Sequence, residues 1–308
     1  MILGGDLGGT KTLLALADES GCIVRQQRYA SAEYADFADL LDDFLGGQRG
    51  INAACFGIAG PTDGQQAKLT YLPWHLSATN IGQRFAISRV TLANDFAAAA
   101  HGLTRVAPES IRTLQHGTPL ADAPRLILGA GTGLGVAGLL PEGDGYRVVP
   151  GEGGHLGFAP QTPQQGELWS WLQAQHGRVT IEDIVSGPGL VRVHAFLGGP
   201  PTTPEAIGAA ACSGGNALAL ATLQLWLACL GGFAGDLALH WLARGGVYLA
   251  GGIAARLLPQ VDCAPLLAAF ADKREHAALM PAMPVHLVTD EELGLHGALV
   301  LAGARRQR

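Results

Sequence analysis

The spacing of apolar residues changes along the first hundred positions, and each change marks an element. A short apolar start at Ile2, a Gly/Thr-rich loop and the run Leu13 to Ala17 predict strand, turn, strand. Asp18 to Gly21 predicts a turn, and Cys22 to Tyr29 a third strand. Within Glu33 to Leu45, Phe37, Leu40, Leu41, Phe44 and Leu45 form a helical stripe. Ile51 to Ala59 predicts a buried strand closed by Gly60-Pro61, and Leu69-Thr70-Tyr71-Leu72-Pro73-Trp74 an irregular stretch with two aromatics near a turn. A short helix over Ile81 to Phe85, a strand over Val90 to Ala93 and an alanine-rich helical run, Phe96 to Ala100, complete the half.

The resulting order, β-β-β-α-β-α-β-α, is neither a hairpin protein nor a strict βαβ repeat. Three turn-linked strands followed by strands alternating with helices is the order of an RNase-H-like half. The pattern starts again at Arg125. Leu126-Ile127-Leu128 predicts a strand, Gly129 to Gly135 a glycine turn, Val136 to Leu140 a second strand and Tyr146 to Val149 a third, which points to an internal structural duplication. Pro188 to Pro204 reads as turn-rich, with helices before and after, and Gly246 to Ile253 as strand into glycine turn. The rest of the last hundred residues reads as mostly helical. The uncharged run Ala217 to Gly235 approaches the length of a membrane span, about 20 residues. Its alanines, Thr222, Gln224 and Gly231-Gly232, without a flanking basic cluster, predict a buried core helix.

Composition narrows the function classes. The 308 residues are 48% hydrophobic and 15% charged, enough for two domains with sizeable cores. A net charge of −6 argues against a general nucleic-acid binder, and no basic tract occurs beyond Arg305-Arg306, which reads as a solvated tail. Five scattered cysteines without a C-x-x-C fit reduced thiols in the cytoplasm. The first residues lack a basic n-region and meet Asp6 early, which is no signal peptide.

Two familiar phosphate motifs come close and fail. Gly5 to Thr12 reads G-D-L-G-G-T-K-T, with Thr10 where a Walker A loop has its second glycine, and it leads into a strand rather than a helix. The G-x-G-x-x-G at Gly133 to Gly138 runs into a hairpin. Instead, two Gly/Thr hairpin turns in duplicated positions present backbone N–H groups and a hydroxyl to phosphate oxygens, and Gly251-Gly252 offers a flat surface to a nucleoside. Asn94-Asp95 ends a strand where α/β folds place their chemistry. By residue type alone, that pair reads first as a helix cap. Thr180 likewise reads as an N-cap, with Glu182 in the first turn of its helix.

Taken together, Gly5-Asp6-Leu7-Gly8-Gly9-Thr10, Leu92-Ala93-Asn94-Asp95-Phe96, Gly129 to Gly135, Pro150-Gly151-Glu152-Gly153-Gly154-His155 and Ser186-Gly187-Pro188-Gly189-Leu190 resemble the loops of the bacterial glucokinases, in order and over essentially the whole chain. That family belongs to the actin-like ATPase and sugar-kinase superfamily. The resemblance implies an α/β fold of two RNase-H-like domains with an active-site cleft between them. One domain would span 1–105 plus about 292–308, and the other 106–291. It implies ATP-dependent phosphorylation of D-glucose to glucose 6-phosphate. Gly5, Asp6, Leu7, Gly8, Gly9, Thr10, Gly131, Thr132, Gly133, Gly251 and Gly252 would bind ATP, with Asp6 toward its Mg2+ and no protein-held metal. Asn94, Asp95, Glu152, His155 and Glu182 would contact the sugar, with Asp95 as catalytic base. A homodimer is a family expectation, with no nucleic acid or membrane as partner.

Lys11 stands where glucokinases of this group often have Asn, and Leu156-Gly157 replaces the more usual Val-Asp. Lys11 resembles the related ROK sugar kinases, but Leu156 to Pro160, directly after His155, contain no cysteine, which excludes their zinc-binding type. The remaining alternatives are a kinase of the same fold for another hexose, a non-catalytic sugar sensor, and an actin-like filament protein. The sensor lacks its usual DNA-binding extension here, and a filament would leave Glu152, His155 and Glu182 without work.

Overall fold

The computed structural model describes residues 1–70 and 72–304. Tyr71 and the terminal Arg305-Arg306 lie outside the described residues. Chain contacts divide it into two compact units, Pro108–Glu291 and Met1–Ala107 joined by the segment that begins at Glu292.

The first unit carries strands β1 (Ile2–Leu7), β2 (Lys11–Ala17), β3 (Ile23–Ala30), β4 (Ala53–Ile58), β5 (Gln66–Lys68), β6 (His75–Ser77) and β7 (Arg89–Asn94). Its helices are α1 (Phe37–Leu45), α2 (Ala78–Phe85) and α3 (Asp95–Gly102), joined by the closing helix Leu293–Gly303. Five strands form one sheet in the order β3-β2-β1-β4-β7. The first three pair antiparallel, and β4 and β7 lie parallel to β1, which is the expected RNase-H-like order. Helix α1 begins at the first stripe residue, Phe37, rather than at Glu33, because Ser31–Glu33 form a separate 3-10 turn. Asp36 then caps it, its side chain accepting from the Asp39 N–H, and Gly46 at φ 54° ends it. Its buried Phe37, Leu40, Leu41, Phe44 and Leu45 each contribute roughly 1.5–3 kcal/mol of transfer free energy. Leu69, Thr70 and Leu72 to Trp74 lie outside any strand or helix, as expected, and the flanking strands β5 and β6 pair as a two-stranded ribbon.

The second unit contains β8 (Ile111–Gln115), β9 (Arg125–Ala130), β10 (Leu134–Glu142), β11 (Gly145–Gly151), α4 (Pro163–His176), α5 (Gly187–Phe196), α6 (Pro204–Cys212), α7 (Ala217–Trp241), β12 (Gly246–Ala250), α8 (Gly252–Leu257), α9 (Ala264–Ala271) and β13 (Val285–Val288). The closing helix Leu293–Gly303 is α10. The sheet order is β11-β10-β9-β12-β13-β8, so β11-β10-β9-β12-β13 repeats the first sheet strand for strand. The duplication read from the sequence is therefore present, with β8 added antiparallel to β13. Sequence pattern missed both β8 and β13. They are short, and β13 finds its partners through pairing to distant segments.

One further expectation is corrected, and the expected core helix is present. Pro188 to Phe196, the first part of the stretch expected to be turn-rich, lies in α5, which is capped by Ser186, whose Oγ accepts from the Gly189 N–H at 3.0 Å. Proline fits there because first-turn N–H groups have no helical partner to lose. Helix α7 is the only one among the described residues long and apolar enough to cross a membrane. It lies in the core of its unit, burying Leu223, Trp226, Leu227, Leu230 and Ala234, among others.

Candidate active site

In the first unit the parallel strands set the site. Leu7 pairs with Ile58 and Ile58 with Asn94, so the loop after β1 and the Asn94-Asp95 pair leave the sheet at one end. The β1–β2 turn, Gly8-Gly9-Thr10, is closed by Gly8 N–H donating to Lys11 O at 3.0 Å. Two buried hydroxyls hold it from below. Ser31 Oγ donates to Gly8 O at 2.9 Å and lies 3.0 Å from Thr12 Oγ1, while Ser31 N–H donates to Thr10 O at 3.1 Å. Nothing in the sequence pointed to Ser31. Its role depends on β3 lying beside β2.

Asp6, on β1, is half-buried. Burial pushes its carboxyl above the ordinary aspartate range, and the Lys11 ammonium pulls it partly back. The carboxylate is pressed against the first turn of α10: a Cβ on Gly294 would stand 2.8 Å from Asp6 Oδ2.

Asn94 does cap α3. Its Oδ1 accepts from the N–H groups of Phe96 and Ala97, each at 3.0 Å. Asp95 occupies the first helical position, and its Oδ1 accepts from the Phe96 N–H at 2.8 Å. Both side chains stay half-exposed, so the capping geometry fixes their direction without burying them. Gly57 on β4 lets α3 pack closely, since a Cβ there would stand only 3.2 Å from the Ala98 Cβ.

The second unit repeats the arrangement with different side chains. Gly129 on β9 pairs with Ala250 on β12, so the Gly131-Thr132-Gly133 turn and Gly251-Gly252 leave that sheet at one end. Gly251 has φ 90°, and a Cβ there would overlap the carbonyl of Ala130, so both conformation and space demand glycine. Helix α8 starts directly after it, at Gly252.

Glu152, Gly153, Gly154 and His155 follow β11, with Gly153–His155 in a 3-10 turn and the Glu152 and His155 side chains exposed. Gly154 packs directly on Leu134, where a side chain would overlap the Leu134 carbonyl. Glu182 lies in a turn, not in the first turn of a helix as expected. Thr180 is no N-cap either: its N–H and Oγ1 both donate to Asp183 Oδ2, at 2.9 and 2.8 Å. The N–H of Glu182 donates to Gly154 O at 3.0 Å, and its Oε2 accepts from the Leu134 N–H at 2.8 Å. Glu152, His155, Glu182 and the Gly131–Gly133 turn thus belong to one hydrogen-bonded neighbourhood. A cavity of about 500 Å³ in this unit is lined mainly by apolar side chains, including Leu156, Phe158, Ile181, Phe233 and Leu237. None of the polar side chains expected to meet a sugar lines it.

A duplicated sheet with glycine turns at matching strand ends is the fold of the actin-like ATPases and sugar kinases. The glucokinase family model matches residues 3–305. A glucokinase from Trichormus variabilis is 36% identical over 342 aligned positions that cover 98% of both chains. A glucokinase from an Antarctic psychrotroph has a TM-score of 0.85 at 28% identity, also covering 98% of each chain. A ROK family glucokinase from Streptomyces griseus, solved with glucose and AMPPNP, shares the fold at 21% identity with a TM-score of 0.68 over 98% of each chain. The chain belongs to the glucokinase family.

Proposed function

We infer that this chain is a glucokinase that transfers the terminal phosphoryl group of ATP to the 6-hydroxyl of D-glucose. Family membership across the whole chain carries the activity. The assignment of residues rests on the site chemistry.

Asp95 is proposed as the general base. It stands at the end of a parallel strand, fixed by the Phe96 N–H and half-exposed to a substrate. Receiving the hydroxyl proton as the phosphorus–oxygen bond forms is the one acid–base task that phosphoryl transfer sets. Asn94, Glu152, His155 and Glu182 are proposed to take the sugar hydroxyls. Each hydroxyl both donates and accepts, and carboxylates, an amide and an imidazole satisfy that with directional bonds. Gly5 to Thr10 and Gly131 to Gly133 are proposed to hold the ATP phosphates through backbone N–H groups, and Gly251-Gly252 the adenosine. Mg2+ would arrive with ATP and keep several waters, so one carboxylate such as Asp6, acting through those waters, suffices. At this point the Mg2+ would neutralise phosphate charge. The proposed setting is the cytoplasm, with two domains of 1–105 plus about 292–308 and 106–291, and a homodimer as the assembly.

The deciding experiment is a coupled ADP-release assay over a panel of hexoses at saturating ATP. Preference for glucose is the expected result. ATP hydrolysis indifferent to every sugar would sink the assignment, and preference for another hexose would move the substrate.

A further inference from the structure

We propose that Glu182 is a positioning residue for the Gly131-Thr132-Gly133 turn as well as a sugar ligand, and that it couples sugar occupancy to nucleotide affinity. This rests on the roles proposed above for Glu182 and for the glycine turn.

Three polar groups of Glu182 are each tied to a different piece of the site. Its N–H donates to Gly154 O, in the Glu152–His155 turn, at 3.0 Å. Its carbonyl accepts from Ser186 Oγ, the cap of α5, at 2.7 Å. Its Oε2 accepts from the Leu134 N–H at 2.8 Å, where the glycine turn enters β10. The same region is closed by Gly187 N–H donating to Gly131 O at 2.8 Å. The fit is tight on the loop side as well, since a Cβ on Gly133 would stand only 2.7 Å from Oε2. A carboxylate accepts at two oxygens. One therefore holds the loop while the other takes a sugar hydroxyl.

The consequence is mechanical. A half-buried glutamate has three rotatable side-chain bonds, and the Leu134 contact survives only in some of its rotamers. A hydroxyl bound to the second oxygen pins the carboxylate in the rotamer that supports the turn. The turn's N–H groups are then ordered before phosphate arrives, so less ordering cost falls on nucleotide binding. Linkage makes the effect reciprocal: nucleotide must tighten sugar binding by the same factor.

The test measures MgADP and glucose dissociation constants by titration calorimetry, each with and without the other, together with amide exchange at Leu134. Wild type is expected to bind MgADP about fivefold tighter or more with saturating glucose. Glu182→Gln keeps an oxygen for the Leu134 N–H, so sugar-free MgADP affinity should stay within about twofold of wild type while glucose binding weakens. Glu182→Ala removes the acceptor. It should weaken sugar-free MgADP binding about tenfold, speed exchange at Leu134 and abolish the coupling. Wild-type MgADP affinity in Glu182→Ala overturns the positioning role. Weakened MgADP binding with unchanged glucose affinity leaves that role standing and removes the sugar-ligand assignment instead. Gly133→Ala is the second variant, in case Glu182→Ala does not fold. Its methyl group displaces Oε2 from the loop side and should weaken glucose binding, although Gly133 is assigned no sugar contact. Unchanged glucose affinity there overturns the coupling.

Discussion

The carbonyl oxygen of Ala98 occupies the space that a Cβ on Gly297 would need, so α10 crosses α3 backbone against backbone. Gly102 repeats the contact one turn on, against the carbonyl of Leu293. The helix that begins with Asp95 is thus seated by a segment nearly two hundred residues away in sequence.

Gly297→Ala should destabilise the protein by about 3 kcal/mol, because the added methyl meets backbone that has no rotamer to yield. Gly303→Ala is the control, since its Cβ would meet only Ile2 Cδ1 at an ordinary 3.6 Å. Urea unfolding of both variants checks the contrast, and equal midpoints would refute it.

Asn94 has two duties that substitution can separate. Asn94→Ala should lose about 1 kcal/mol of stability with the cap and also raise the glucose KM. Asn94→Ser keeps a capping oxygen and should raise the KM while holding Tm near wild type. A wild-type KM in Asn94→Ser would remove the residue from the sugar site.

Asp95→Asn retains an oxygen for the Phe96 N–H and so should fold normally. Glucose binding should survive, while kcat falls by at least ~100-fold because the proton acceptor is gone. Turnover near wild type would falsify the base assignment.

The Asp6 carboxyl sits above its ordinary value of 3.8 because burial disfavours the charged form. The folded state then holds the proton more tightly than the unfolded state does. The associated stability is fully present below pH 3.8 and is lost as pH rises through the raised value. Asp6→Asn carries no such penalty. Its Tm should therefore gain on wild type as pH is raised from about 4 to 7, even as activity is lost, and a Tm difference independent of pH would contradict this.

Much of this molecule was legible locally. Turn chemistry and period gave the three-strand starts at Ile2 and Arg125, and the helical stripe of α1, because those signals depend on neighbours in sequence. Asn94 was read correctly as a cap, since its Oδ1 needs only the next two N–H groups. The Gly5–Thr10 and Gly131–Gly133 turns were likewise visible as glycine-rich breaks between apolar strands. Glu182 shows where the local signal fails. A glutamate two residues after a threonine looks like the first turn of a helix, but here Asp183 takes the Thr180 donors and turns the chain instead.

The sequence by itself determined the order of elements, their duplication and the residue types offered at each strand end. Only the tertiary structure decided which of those residues act on one another. Short strands such as β13 exist because parallel pairing supplies their hydrogen bonds from distant segments. Ser31 reaches the first glycine turn because β3 lies on β2, Gly294 confines Asp6 because α10 returns to β1, and Glu182 reaches Leu134 at the start of β10. Hydrogen bonds and steric exclusion act over a few ångströms in space, whatever the distance along the chain, and pattern along the chain carries no record of them.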